Sequence, residues 1–153
     1  MSDDFKVSPA WKQAALDFLN TFKYGDLVPH DWLVEHFGLP PIKDSAKLTV
    51  SEFKRRQFDL LSNIEAFKHE LLTKHQVCLQ PVRGDGYRWI TPGEQTAIAM
   101  KDFTNDAKKA FRSAGQRLRH VRIGELTDDQ RRENVDAMAK LSHIRGTVRK
   151  QLR

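Results

Sequence analysis

The chain has 153 residues, 26 of them Lys or Arg and 20 Asp or Glu, a formal net charge of +6 with neutral histidines. That length suits one domain, or a small domain with an appendage, and 30% charged with 39% hydrophobic residues argues against wholesale disorder. No apolar run approaches the roughly 18 residues of a membrane span, the start Met1-Ser2-Asp3-Asp4 does not read as a secretory signal, and the lone Cys78 can close neither an internal disulfide nor a CxxC zinc site. The expected compartment is the reducing cytoplasm.

Residues 9–22 are expected to form a helix, with Pro9 in its first turn. Trp11, Ala15, Phe18, Leu19 and Phe22 share one face at helical spacing, and Gly25 breaks the pattern. Asp31 to Phe37 is a short second helix, entered through Pro29 and ended at Gly38. The stretch 38–48 reads as a linker. Thr49-Val50-Ser51-Glu52 matches a capping box, in which the threonine oxygen accepts a helix-start N–H and the glutamate reaches back. A third helix follows, whose apolar stripe is Phe53, Leu60, Leu61, Ile64, Phe67, Leu71 and Leu72. Trp11, Trp32 and Phe58 read as core, and Trp89 is left open.

The texture changes at Val77. Residues 77–83 read as a strand, Gly84-Asp85-Gly86 as a turn with φ > 0 freedom at both glycines, and Tyr87 to Ile90 as the return strand. Pro81 lacks an N–H and belongs on an edge or at a bulge. Cys78, among apolar neighbours, reads as a buried structural thiol. Residues 91–95 read as a second linker. Beyond it, Ile98, Met100, Phe103, Ala107, Phe111, Ala114, Leu118 and Val121 recur about every 3.5 residues. After Gly124, Thr127 to Gln130 is a second capping-box match, and Val135, Met138, Leu141, Ile144, Val148 and Leu152 repeat the pattern. Two such helices with a short connection predict an antiparallel hairpin.

Three helices, a β-hairpin and two more helices define the expected fold class: mainly α with a small β-hairpin, a winged helix-turn-helix followed by a two-helix C-terminal hairpin. The expected division is 1–92 and 93–153, with the second part packed on the same core or dimerising. Residues 60–90 also carry a family resemblance. Ile64 to Leu72, followed by Val82-Arg83-Gly84-Asp85-Gly86-Tyr87-Arg88, resembles the end of response-regulator effector domains. In that winged-helix family an apolar-patterned recognition helix and a short connector lead into a hairpin reading V-R-G-x-G-Y-R. Those domains usually open with a small sheet, for which residues 1–8 are too short, and here a long helical region follows the hairpin. The resemblance therefore implies the geometry, a third helix in the major groove and a wing on the backbone, and not the signalling role.

Charge points the same way. Residues 1–50 carry 5 basic and 7 acidic side chains, 51–93 carry 7 and 5, and 94–153 carry 14 and 8. An excess of positive charge in the back half suits a polyanionic partner. Lys54, Arg55, Arg56 and Gln57 sit at the start of the third helix. There arginine can read guanine, glutamine can read adenine and lysine can meet phosphate. Arg83 and Arg88 flank the hairpin turn and can reach phosphates as bidentate donors. Tyr87 can lay its ring on the core with its hydroxyl wet. Lys108 and Arg112, with Arg119, form a candidate phosphate-tracking strip. Each set has a plain alternative as solvated surface, and Glu52, Asp59, Glu65 and Glu70 restrict how flat the third helix can lie on DNA.

Catalysis finds no motif. The six histidines form no HExxH and no pair four apart, there is no phosphate-binding glycine loop or nucleophile elbow, and no metal or cofactor is expected. The function expected is a winged-helix protein that binds double-stranded DNA, such as a small bacterial, phage or plasmid transcriptional regulator or accessory factor. The alternative is a protein-interaction factor, for example a phage-encoded modulator of a host machine, with the winged helix as scaffold and the C-terminal helices as the partner surface. A homodimer, double-stranded RNA and single-stranded DNA stay open.

Overall fold

The computed structural model describes residues 8–40 and 48–152; residues 1–7, most of the linker expected over 38–48, and Arg153 lie outside the described residues. In chain order the elements are α1 (Ala10–Thr21), β1 (Leu27–Pro29), α2 (His30–His36), α3 (Val50–His75), β2 (Leu79–Val82), β3 (Gly86–Trp89), α4 (Pro92–Arg119) and α5 (Asp128–Gln151). The protein is mainly helical with a small antiparallel sheet, as the sequence predicts. It divides into two units, Met1–Gln95 and Thr96–Arg153.

Local chemistry sets the helix boundaries. Pro9 caps α1 from outside rather than within its first turn. The Thr49 hydroxyl accepts from the Glu52 N–H at 3.2 Å, and the Glu52 carboxylate accepts from the Thr49 N–H at 3.1 Å. The same reciprocal pair opens α5 between Thr127 and Gln130. α3 ends at Gln76 in the left-handed region, φ +54. The linker expected at 91–95 is instead the start of α4. Pro92 stands in the first helical position, where its missing N–H costs nothing, and the Glu94 carboxylate accepts from the Thr91 N–H at 3.0 Å and its hydroxyl at 3.1 Å.

The sheet has three strands, in the order β1-β3-β2. The hairpin β2–β3 pairs Leu79 with Trp89 and Val82 with Gly86, and both turn glycines take positive φ, +81 at Gly84 and +144 at Gly86. β2 is an edge strand, and it holds Pro81. β1 was not visible in the sequence: its three residues pair Leu27, Val28 and Pro29 with Arg88, Tyr87 and Gly86. It lies between α1 and α2 rather than ahead of α1.

The core of the first unit gathers around Phe18, Leu33, Phe67 and Leu71, all without exposed surface. Phe18 packs against Phe67 at 6.0 Å, Trp89 at 5.0 Å and Phe22 at 5.2 Å between ring centroids. Trp89 thus belongs to the core and not to a stacking surface. On α3 the buried row is Ile64, Phe67 and Leu71, with Leu60 half-buried. Phe53, Leu61 and Leu72, expected on that stripe, are exposed, and so is Phe58, expected in the core. A helix turns about 100° per residue, so a single inward row cannot hold all of them.

Candidate nucleic-acid interface

The outward face of α3 runs through Lys54, Phe58, Leu61 and Glu65, at steps of four, three and four, and continues to Lys68. Lys54 and Arg55 are exposed and Gln57 is half-buried. Arg55 has Glu52 and Asp59 as neighbours around a shallow hollow. Arg56 departs from the expected reading role. It is only 6% exposed, and its Nε donates to the Pro40 carbonyl at 2.9 Å. Its Nη2 has no hydrogen-bond partner among the described residues. Three consecutive basic residues on a helix cannot share a face, and the third is the buried one, beside Pro40. Arg56 therefore fastens the start of α3 to the end of the 8–40 segment and is not presented to a groove.

The hairpin meets the C-terminal half of α3 at two points. Val77, just ahead of β2, donates its N–H to the Leu71 carbonyl at 2.9 Å, while Tyr87, near the far end of β3, lies under Lys68, whose Nζ is 5.4 Å from the ring centroid. Arg83 stands between β2 and β3, at the hairpin turn. Arg83 is exposed. Arg88 is held within the protein: its guanidinium donates to Glu94 Oε2 at 3.3 Å and to Gln80 Oε1 at 3.2 Å. That bridge ties the hairpin to the first turn of α4. Among the described residues, Lys54 and Arg55 at the start of α3 and Arg83 at the hairpin turn are exposed and make no ion pair.

Two ionisable groups here are shifted. The Tyr87 hydroxyl is pushed above its ordinary range, first by burial and then by the Glu65 carboxylate. Glu65 is itself 3.7 Å from Lys68. The Glu94 carboxyl is lowered, first by the Thr91 N–H, then by the Thr91 hydroxyl, with a smaller contribution from Arg88.

Lys108 and Arg112 lie in the second unit. Both are exposed, and both line a groove of about 740 Å³ between α4 and α5. Among the described residues no group of three or more His, Cys, Asp or Glu side chains converges as metal ligands, and no helix is long and apolar enough to cross a membrane. Phe58 and Leu61 are the site residues that sequence patterning missed. They are 70% and 59% exposed, and only their phase relative to the Leu60–Ile64–Phe67–Leu71 row distinguishes them from core. No family model matches the chain, and neither a curated protein nor a solved structure matches it.

Proposed function

We propose that the first unit is a winged helix-turn-helix that binds double-stranded DNA, with the start of α3 in the major groove and the β2–β3 hairpin on the backbone. The carrying observation is the order α-β-α-α-β-β with the sheet order β1-β3-β2, in which the start of α3 carries exposed Lys54 and Arg55 and the hairpin turn carries exposed Arg83. Lys54, Arg55 and Arg83 meet phosphates, and Phe58 contacts thymine methyl groups, a pairing that apolar side chains make in the major groove. Arg56 and Arg88 take no part.

Salt dependence tests this. Three phosphate contacts give a slope of log K against log salt near −2.7, hence about a 40-fold loss of affinity between roughly 50 and 200 mM. Anisotropy of a labelled random duplex reads it. Absence of binding at the low-salt end sinks the proposal. One observation favours a second reading. Phe58 and Leu61 stand exposed in the middle of the same face, as they would for docking a protein. In that case Phe58→Ala abolishes partner binding while the Lys54 and Arg55 variants leave it intact.

A further inference from the structure

The second unit holds a groove whose chemistry defines an occupant. α4 has 28 residues and α5 has 24, yet Gly115 is the one buried residue on the pair among those described. The apolar side chains facing between them, Ala107, Phe111, Leu141, Val148 and Leu152, are only half-buried, and Met138 is exposed. On α5 the apolar lining residues Met138, Leu141, Val148 and Leu152 fall on one heptad register, the spacing of a coiled-coil seam that accepts a neighbouring helix, with Arg145 at the one charged position of that register. On α4 the lining runs from Thr104 to Arg119. At about 1.5 Å per residue both walls are about 21–22 Å long, some four helical turns.

The rim adds a sign. Lys108, Arg112, Arg119, Arg145 and Arg149 line the groove, and no acidic residue does. Among the described residues none of the five makes an ion pair. A second copy of this groove would set five cations against five. Nucleic acid would meet the cations but leave Phe111, Leu141 and Val148 without an apolar partner. A helix with one apolar stripe and acidic flanks satisfies both the floor and the rim.

We propose that the α4–α5 groove docks an acidic amphipathic helix of a partner protein, completing a three-helix bundle. This stands independently of the reading of the first unit. The probe is a labelled helical peptide of about 18 residues, with leucines at heptad a and d positions and glutamates beside them. Its controls are a twin with lysine for glutamate and a same-composition peptide whose leucines are scattered. With the full-length chain, the patterned acidic peptide binds, and both controls bind at least about tenfold more weakly. The Arg112→Glu/Arg145→Glu variant, checked for unchanged helix content by circular dichroism, reverses the preference toward the lysine twin. The proposal is overturned if the acidic peptide fails to bind at about 100 μM, a concentration well above a micromolar Kd. It is overturned equally if the scattered peptide binds as well. Sedimentation reads the rival occupant: a dimer that Leu141→Lys dissociates assigns the groove to a second copy. Duplex DNA that binds through Arg112 and Arg145 when the peptide does not assigns it to nucleic acid.

Discussion

Replacing Gly86 with alanine strains the sheet at its tightest point. Gly86 opens β3, pairs with Pro29 on one side and Val82 on the other, and has φ +144. A Cβ built there falls on the Val28 carbonyl oxygen, with the Val28 carbonyl carbon at 3.0 Å and Pro29 Cα at 3.1 Å. Holding a side chain in that region of φ costs about 1–3 kcal/mol, and overpacking adds about 1–3 kcal/mol, for a total of roughly 4 kcal/mol. Gly84→Ala is the internal control. Its φ is +81, but nothing lies within 4 Å of the built Cβ, so only left-handed strain of about 1 kcal/mol remains. All three tryptophans, Trp11, Trp32 and Trp89, lie in the first unit, so their fluorescence in a urea titration reports that unit. With an m-value near 1.5 kcal/mol/M, the 3 kcal/mol difference separates the two midpoints by about 2 M. Equal midpoints for the two alanine variants would refute the reasoning.

Other outcomes follow from the same packing. Phe67→Ala removes a fully buried ring that meets Phe18, Phe37 and Trp32, and costs about 3–5 kcal/mol by the same urea assay. Phe58→Ala, at a 70% exposed ring, changes stability by less than about 0.5 kcal/mol; a loss of the Phe67 size returns Phe58 to the core. Tyr87, with its pKa raised in the folded state, contributes stability that is present below the ordinary tyrosine value of about 10 and is lost as pH rises through the folded value. Near-UV absorbance titration of wild type against Tyr87→Phe reads it, and loss of a phase at or below pH 10 contradicts it. Glu94, with its pKa lowered, contributes above the ordinary carboxyl range, and that contribution is lost as pH falls through the lower folded value. An NMR titration of its carboxyl that shows an ordinary or raised pKa contradicts the Thr91 cap.

Sequence chemistry reveals the fold where one local rule decides an element. Thr49 with Glu52 and Thr127 with Gln130 mark helix starts because a cap needs only neighbours in the chain. Gly84 and Gly86 mark the hairpin because a tight turn needs positive φ. β1 is hidden because three residues carry no alternation, and its pairing partners lie some sixty positions away. The Thr91–Glu94 cap reads as a linker in the sequence because Pro92 and Gly93 suit one equally. At the candidate interface, Lys54, Arg55 and Arg83 were readable as charges, but their availability was not. Whether an arginine faces water depends on helix phase and on tertiary partners: Pro40 takes Arg56, while Gln80 and Glu94 take Arg88. Exposure of Phe58 follows from the same phase, which composition does not carry.

The most direct test of the proposed DNA interface compares salt slopes for duplex binding by wild type, Lys54→Ala/Arg55→Ala, Arg83→Ala and Arg88→Ala. Each lost phosphate contact lowers the slope by about 0.9. The interface built on Lys54, Arg55 and Arg83 predicts a drop of nearly 2 for the double variant, nearly 1 for Arg83→Ala, and little change for Arg88→Ala, whose guanidinium is already held by Gln80 and Glu94. Wild-type slopes in the double variant and Arg83→Ala, or a full unit lost with Arg88, would contradict it.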